Sequence, residues 1–382
     1  MAVSSKENGC KTFFLVKAVF ILRKWLSVLL LLVLVVLPVS QGAAAGIHAS
    51  IPARTGAASS KDEAKPKAGD SIQMTFVGDV LLDGFVGKQI AEYGVNFPFA
   101  KVAPELKKAD LAFANLETPV STRGKAANKT FAFRSKPETL QGLLYAGIDG
   151  VTVANNHILD YGQDAMLDTL THLRKAGIGV TGAGRNQSEA FQPYTKQIGD
   201  RKIAVIGVSR VLSGPSWYAG PNKPGAASAY SMEPMLSTIR KSAKAGNYTV
   251  VYIHWNQEFK DYPEKYARDM AKKMIDSGAD LIIGAHSHCL MGVEFYKHKP
   301  IYYSLGNFVF NRSSRGGDKT LHSMMAEFTL TESGVTSRIR PVKIVGGQPN
   351  FMDEAYNRQA IQKLNKLSYN ARIDAKGNVY EK

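Results

Sequence analysis

The feature that most constrains the fold of this chain is a series of short apolar runs separated by stretches with helical spacing. Seven runs have the length and residue types of strands, and they cover residues 72–77, 111–114, 150–153, 203–208, 250–253, 281–283 and 301–304. Residues 163–175 and 265–277 have apolar side chains at three- and four-residue spacing, which predicts helices that cover a sheet. Strands that alternate with helices predict an α/β fold.

Three further segments complete the expected domain organisation. Residues 46–70 are mostly Ala, Ser, Lys, Pro and Gly, which predicts a flexible linker. Residues 325–330 and 335–342 alternate with period two, which predicts a closing antiparallel hairpin. Residues 346–382 are polar, and we expect a peripheral C-terminal segment. With no internal repeat, residues 71–345 are expected to form one domain.

The N-terminal residues 1–45 are typical of an export signal. Residues 1–24 hold five basic residues and one acidic residue, and an uncharged stretch of 23 residues runs from 25 to 47. The basic side is expected in the cytoplasm and the rest of the chain outside. Pro38 and the alanines at 43–45 fit a cleavable signal. The uncharged stretch is also long enough for a membrane anchor, so a cleaved signal and an anchor both stay open.

Charge and cysteine content narrow the function classes. The formal net charge is +16, of which +12 remains in residues 46–382, and this favours a polyanionic neighbour. The basic residues are spread out with no aromatic-interleaved motif, so we expect no nucleic-acid partner. Only two cysteines, Cys10 and Cys289, are present, which excludes a disulfide framework and a Cys-rich metal site. We expect Cys289 to be a buried thiol.

Polar side chains follow five of the predicted strands. Ligands of α/β sheets collect beyond the carboxyl ends of the strands, and the polar residues there are Asp79, Asn115, Glu117, Asn155, Asn156, His157, His254, Glu258, His286 and His288. Carboxylates, amides and imidazoles without a thiolate suit Zn²⁺, Mn²⁺ or Fe. Each motif alone also fits a turn, a helix cap or a core histidine, but five together predict a metal centre at one rim of the sheet.

A glycine pattern at residues 177–182 satisfies G-x-G-x-x-G but does not predict a nucleotide site. It follows a helical pattern and runs through a predicted strand, whereas a dinucleotide cradle turns from a strand into a helix.

Seven motifs together carry a family resemblance. They are Val77-Gly-Asp79, Asn115-Leu-Glu117, Ala154-Asn-Asn-His157-Ile-Leu-Asp160-Tyr161-Gly162, Gly182-Ala-Gly184, His254-Trp-x-x-Glu258, Gly284-x-His286-x-His288 and Ser304-Leu-Gly-Asn-Phe308. In order and spacing, over residues 72–312, they resemble the CapA/PgsA family of poly-γ-glutamate capsule synthesis proteins. That family looks like a branch of the calcineurin-like metallophosphoesterases. The resemblance implies a two-sheet sandwich flanked by helices, and it favours a single N-terminal membrane anchor with the domain outside the cell.

The resemblance also implies roles for individual residues. One or two divalent ions (Mn, Zn or Fe) would be held by Asp79, Glu117, Asn156, His254, His286 and His288. His157 would contact the phosphate and act as the catalytic acid, and we place Asp160 with it as a catalytic residue. We expect Asn115, Asn155, Tyr161, Glu258 and Asn307 to contact the ligands or the substrate.

Several positions depart from the superfamily pattern. Leu81 stands where the superfamily has the histidine of Asp-x-His, so a mononuclear centre stays open, and Asp83 is the nearest candidate replacement. Glu117 stands in place of an aspartate. Asn256 and Ser287 stand in place of a glycine and a proline.

Three functions remain in view from the sequence. The leading hypothesis is an extracytoplasmic, membrane-associated protein of poly-γ-glutamate synthesis or export with a phosphoesterase-type site, partnered by the acidic polymer and membrane-bound synthase subunits. The second is a non-catalytic accessory subunit that binds polymer or synthase, which the missing histidine at Leu81 favours. The third is a general secreted metallophosphoesterase.

Overall fold

The structure, a computed structural model, describes residues 71–311 and 313–382. The expected signal or anchor at 1–45 and the linker at 46–70 lie outside the described residues. Among the helices of the described residues, none combines the length and apolar character that a bilayer crossing needs. The described chain is a mixed α/β structure, which confirms the predicted fold class at that level.

The described residues form strands and helices in alternation. The strands are β1 Ile72–Val80, β2 Leu111–Leu116, β3 Gly150–Thr152, β4 Gly179–Thr181, β5 Ala183–Gly184, β6 Tyr194–Ile198, β7 Arg201–Ser209, β8 Gly225–Ala226, β9 Tyr248–His254, β10 Leu281–Ala285, β11 Val293–Tyr296, β12 Lys299–Tyr302, β13 Asn307–Val309, β14 His322–Thr331, β15 Gly334–Val345, β16 Gln348–Phe351, β17 Ala371–Ile373 and β18 Asn378–Glu381. The α-helices are α1 Gly84–Tyr93, α2 Ala103–Leu106, α3 Leu140–Ala146, α4 Gly162–Lys175, α5 Gln187–Ala190, α6 Met232–Lys244, α7 Lys265–Asp276 and α8 Glu354–Leu367. All seven predicted strands, both predicted helices and the predicted β14–β15 hairpin are therefore confirmed.

Two large sheets contain most of the strands. The ten-stranded sheet has the order β17-β18-β15-β14-β1-β2-β3-β4, with β13 beside β1 and β16 beside β15. The six-stranded sheet has the order β11-β12-β10-β9-β7-β6. Strands β1 to β4 are mutually parallel, and so are β7, β9, β10 and β12. In each sheet these neighbouring strands are therefore parallel, and their carboxyl ends lie at the same edge of the sheet.

Alternation of side chains along the strands gives each sheet two apolar faces. One core cluster joins the two sheets, with Phe76 of β1 and Phe113 of β2 facing Tyr252 of β9 at ring-centroid distances of 6.4 and 6.2 Å. A second cluster packs the other face of the ten-stranded sheet against α3 and α4, and a third packs the other face of the six-stranded sheet against α6 and α7. The predicted buried thiol, Cys289, is confirmed.

The C-terminal residues 346–382, expected from their polar composition to be peripheral, contribute strands to a sheet and apolar side chains to the core. Strands β17 and β18 form one edge of the ten-stranded sheet. Helix α8 begins after Asp353, whose side chain accepts a hydrogen bond from the Tyr356 N–H at 2.8 Å. Ile361 and Leu364 of α8 are buried in the cluster between the two sheets.

A close backbone approach fixes the end of β1. The N–H of Asp79 donates to the Gly306 carbonyl at 3.1 Å, and Asp79 pairs in register with Asn307 of β13. A Cβ atom on Gly78 would lie 1.8 Å from that carbonyl oxygen. Only glycine fits at position 78, and the contact sets the position of the Asp79 side chain.

We predict that Gly78→Ala lowers the free energy of unfolding by roughly 1–3 kcal/mol, because the added methyl group must displace the Gly306 backbone. Gly87→Ala in α1 is the matched control, since its Cβ would meet its nearest neighbours at 3.5 Å. The control is expected to be neutral or to stabilise by up to ~1 kcal/mol through helix propensity. Urea unfolding of both variants measures the difference, and equal stabilities would contradict the prediction.

Candidate metal centre

The centre is built around the carboxylate of Glu117, which follows β2. The Glu117 N–H donates to the Val80 carbonyl at 2.9 Å, which fixes the residue at the carboxyl edge of the sheet. Its side chain is completely buried, and neither oxygen has a hydrogen-bond partner among the described residues. Burial, and next the charge of Asp79, hold the pKa of Glu117 well above its ordinary value. A buried carboxylate without donors favours a cation as its partner.

Imidazoles surround this carboxylate. The Nε2 atoms of His254, His157 and His288 lie 3.7, 3.9 and 3.9 Å from Glu117 Oε1. Glu117, His286 and His288 each place one ligand atom within 4.8 Å of the others, and His286 Nδ1 has no described hydrogen-bond partner. Burial holds the pKa of His254 and of His286 well below the ordinary histidine value. Both rings are therefore neutral at pH 7, the form that binds a metal.

Two asparagines orient the histidine rings. His288 Nδ1 lies 2.8 Å from Asn307 Oδ1, and Asn307 Nδ2 donates to the Thr320 carbonyl at 3.0 Å. Asn115 Nδ2 lies 3.3 Å from His254 Nδ1 and donates to Asp79 Oδ1 at 2.8 Å. For His288 the contact occupies Nδ1 and leaves Nε2 toward Glu117, as partners of metal-binding histidines do. For His254 the contact holds the ring at Nδ1, while Nε2 lies 2.8 Å from Asn156 Oδ1 and 3.7 Å from Glu117 Oε1.

Asp79 and Asn156 complete the group of predicted ligands. Asp79 Oδ2 accepts a hydrogen bond from the His286 N–H at 3.3 Å and lies 3.5 Å from His288 Nδ1. Burial raises the pKa of Asp79. Asn156 Oδ1 lies 2.8 Å from His254 Nε2. The structure thus brings all six predicted ligands together, and their carboxylate, amide and imidazole donors fit a divalent Mn, Zn or Fe ion.

A second group of contacts holds His157. Its Nδ1 lies 2.6 Å from Asp160 Oδ2, and that oxygen also accepts the Phe133 N–H at 2.8 Å. Lys129 Nζ donates to Asp160 Oδ1 and to the Asn156 carbonyl, both at 2.7 Å. Burial lowers the pKa of His157, while the Asp160 contact opposes that shift. Lys129 lies in a loop with no strand or helix pattern, so the sequence gives no signal for this contact.

Asn155 links the ends of β2 and β3. Its Nδ2 donates to Asn115 Oδ1 at 3.0 Å and to the Leu116 carbonyl at 2.8 Å. Its Oδ1 accepts the His157 N–H at 3.1 Å. Asn155 therefore positions both the asparagine beside His254 and the backbone of His157.

Four other singled-out residues lie outside the ligand group. Tyr161 stacks under the Arg134 guanidinium at 4.0 Å, and no hydrogen bond joins its side chain to the described site residues. Asp83 Oδ2 accepts the Arg134 backbone N–H at 2.8 Å, and the residue lines a cavity that reaches His157 and His288. Leu81 is buried beside the site, and Glu258 forms an ion pair with Arg315 at 3.2 Å.

Two cavities open onto the centre from different sides. A polar cavity of about 570 Å³ reaches Asn156 and His286. An aromatic cavity of about 320 Å³ reaches His157 and His288, and its walls include Phe85, Phe131, Phe133, Phe259 and Phe310. Glu258 and Arg315 line both cavities, so their ion pair stands between them.

The fold and this cluster define a class of mixed α/β proteins with a buried carboxylate–imidazole centre at a sheet edge. Residues 73–312 match the family described as Bacterial capsule synthesis protein PGA_cap, and the chain belongs to this family. The predicted CapA/PgsA resemblance is therefore confirmed.

Named relatives agree with the family. The chain is 30% identical over 308 residues to the capsule biosynthesis protein CapA of Bacillus anthracis, covering 78% of this chain and 73% of that protein. It is 32% identical over 311 residues to the PGA biosynthesis protein CapA of Bacillus subtilis, covering 80% of each. It is 30% identical over 234 residues to a probable polyglutamine synthesis accessory protein of Mycobacterium tuberculosis, covering 58% of this chain and 61% of that protein.

We predict that Glu117→Gln stabilises the metal-free protein by roughly 1–3 kcal/mol at pH 7, because it removes a buried charge without partners. A raised pKa means that Glu117 costs more stability as the pH rises, so the gain should grow with pH. In the presence of Mn²⁺ or Zn²⁺ the wild type should be more stable than the variant, since only the wild type gains stability from the ion. Thermal unfolding with a chelator and with metal measures this, and Glu332→Gln, on an exposed turn, is the control. A variant that gains as much stability from metal as the wild type would contradict the assignment.

The loop that carries Lys129 is fastened to α4 through Asp168. Ser121 Oγ donates to Asp168 Oδ2 at 2.6 Å, and the Arg123 guanidinium donates to both carboxylate oxygens at 2.9 and 2.5 Å. The Arg123 hydrogen bonds are the largest cause that lowers the pKa of Asp168 to about 2.

We predict that Asp168→Asn lowers the free energy of unfolding at pH 7 by about 1 kcal/mol or less, because Arg123 is largely exposed. A lowered pKa lends stability above the ordinary aspartate pKa, and this stability is lost as the pH falls toward 2. The gap between wild type and variant should therefore narrow from pH 5 downward in urea unfolding. Asp164→Asn on the same helix is the control, and a gap that is constant with pH would refute the prediction.

Proposed function

We propose that this chain is a metal-dependent phosphoesterase-type protein of poly-γ-glutamate capsule synthesis, acting outside the cytoplasmic membrane. The observation that carries the proposal is the fully buried Glu117 carboxylate, which has no hydrogen-bond partner among the described residues and is surrounded by imidazoles. Beside it lies His157, which is bonded to Asp160. A cation-seeking cluster next to a His–Asp pair is the constellation that a metal-assisted hydrolase needs.

Six residues would hold the ion or ions. Glu117, His286 and His288 form the compact set of donors, and Asp79, Asn156 and His254 lie against it. A bound divalent ion supplies Lewis acidity toward a phosphoryl oxygen. Leu81 offers no ligand atom, so a single ion is the simpler occupancy for these residues.

His157 is the proposed proton-transfer group. Its Nδ1 is held by Asp160, so Nε2 is the ring atom that faces the centre, 3.9 Å from Glu117 Oε1. Because burial lowers its pKa, the ring is neutral at pH 7, so Nε2 would take a proton from the attacking water and pass it to the leaving oxygen of the ester. Lys129 holds Asp160 in place and balances its charge.

The wider assignment rests on the family and on the sequence. The two stacked sheets with helices outside support the metallophosphoesterase-like sandwich. The named relatives act in capsule or PGA biosynthesis, which supports an acidic polymer and membrane-bound synthase subunits as partners. We propose an N-terminal signal or membrane anchor at 1–45, a linker at 46–70, the phosphoesterase-type domain at 71–345 and an associated segment at 346–382.

A second candidate is a non-catalytic accessory subunit whose centre has a structural role. Leu81 favours it, because an apolar side chain buried at the first-motif position contributes no ligand. In this case the domain binds polymer or synthase, and the ion stabilises the strand ends.

We predict that His157→Ala lowers turnover of p-nitrophenyl phosphate by roughly 10²–10⁴-fold, because it removes the proton-transfer group. Bound metal, measured by elemental analysis of residues 46–382, should stay equal to that of the wild type. His172→Ala on α4 is the control and should keep full activity. A wild-type protein without metal, or unchanged turnover in His157→Ala, would remove the catalytic proposal.

Complementation separates the two candidates. A strain that lacks this protein and makes no polymer should not be restored by His157→Ala if the site is catalytic. Restoration by that variant supports the accessory subunit.

A further inference from the structure

Arg210 lies at the rim of the metal centre, directly after β7. Its N–H donates to the carbonyl of His254 at 2.8 Å, so its backbone is tied to a proposed ligand. Its guanidinium lies 3.7 Å from the centroid of the Tyr230 ring and 5.4 Å from that of Tyr266. Tyr230 in turn stacks on Tyr218 at 5.3 Å. Ring stacking holds the guanidinium plane in the wall of the polar cavity.

The charge of Arg210 has no anionic partner among the described residues. No ion pair within 4.0 Å joins it to a carboxylate, and none of its side-chain N–H groups donates to a described residue. The two carboxylates that line the same cavity are placed differently. Glu258 pairs with Arg315 at 3.2 Å, and Glu264 is exposed to solvent.

Asn256 brings a second unused donor to the same cavity. Its backbone has φ of 70°, and its N–H donates to the Tyr266 hydroxyl at 2.8 Å. Its Oδ1 accepts the Glu264 N–H at 2.9 Å, which leaves Nδ2 as the free end of the amide. Nδ2 has no described partner although the residue is only 5% exposed. Buried donors of this kind are normally satisfied, so the missing acceptor points to a ligand.

We propose that the polar cavity binds an anionic group of the substrate, outside the bond that is cleaved, with Arg210 as its main contact and Asn256 beside it. The cavity reaches Asn156 and His286, so a molecule seated there lies next to the metal centre. The shared chemistry is an anion with two or more acceptor oxygens, either a carboxylate of an acidic polymer or a second phosphate. The proposal rests on the proposed function only in taking the metal centre as the reaction site.

Arginine suits this position better than lysine. A guanidinium donates two parallel N–H groups to a carboxylate or phosphate and keeps its stacking on Tyr230 while it does so. A lysine at position 210 would keep the positive charge, but it would lose the two parallel N–H donors and the stacking on the Tyr230 ring. Arg210 therefore selects substrates and does not take part in bond cleavage.

The test is calorimetric titration of the metal-loaded protein with three probes at 150 mM salt. The probes are a γ-linked glutamate decamer, the same decamer with its carboxylates amidated, and a linear polyphosphate of ten phosphates. We expect Arg210→Ala to weaken binding of the charged probe roughly tenfold or more, and Arg210→Lys to recover only a fraction of it. Asn256→Asp keeps the acceptor for the Glu264 N–H and should also weaken binding.

Arg372→Ala is the matched control, because Arg372 also lies over a tyrosine ring, that of Tyr380 at 5.0 Å, but away from the cavity. Binding of this variant should stay within about twofold of the wild type. Tight binding of the glutamate decamer assigns a carboxylate, and tight binding of polyphosphate alone assigns a second phosphate.

Several outcomes overturn the proposal. They are wild-type binding by a folded Arg210→Ala protein, an equal loss in Arg372→Ala, or binding of the amidated decamer as tight as that of the tightest charged probe. Turnover of p-nitrophenyl phosphate and metal content are measured on the same variants. Arg210-dependent binding in a protein without turnover keeps this inference and rejects the phosphoesterase, whereas turnover without Arg210-dependent binding does the reverse.

Discussion

A completely buried carboxylate lowers the stability of the folded protein unless a positive charge lies beside it, and this constraint determines the arrangement of the candidate metal centre. Glu117 occupies such a position because two parallel sheet centres end at one edge, where their turns carry polar side chains. The imidazoles around it are kept neutral by burial, so they do not discharge the carboxylate themselves. The other contacts of the site orient these imidazoles. Asn307 and Asn115 contact the rings of His288 and His254, and both asparagines are positioned by the strands that contain them.

The local pattern of apolar and polar residues predicts most of the strands and helices and most of the candidate site residues. Strands such as β9 are buried on both faces, so a continuous apolar run in the sequence predicts them. His254 is predicted as a site residue because it is the last residue of that strand. Lys129 and Arg210 were not found. Lys129 contacts Asp160 from a loop 31 residues away in the sequence. The Arg210 guanidinium is held by the rings of Tyr230 and Tyr266, which are 20 and 56 residues away. Contacts of this kind depend on tertiary packing, which leaves no periodic signal in the sequence.

The surroundings of the centre are asymmetric. One side is a polar cavity in which the Arg210 guanidinium pairs with no carboxylate of the described residues, and the other is a smaller cavity walled by phenylalanines. The Glu258–Arg315 pair stands where the two meet. For the proposed phosphoesterase site, such an arrangement would suit a substrate with a charged group on one side of the phosphate and an apolar or planar group on the other.

The short stretch around Gly306 has two tasks that cannot be separated. Its carbonyl binds the end of β1 beside Asp79, and the next residue, Asn307, orients the ring of His288. Movement of this stretch therefore displaces Asp79 and His288 together, because its backbone packs against Gly78 too closely for a single methyl group. An ion held at the proposed centre would therefore lose two ligands at once whenever this stretch unfolds locally.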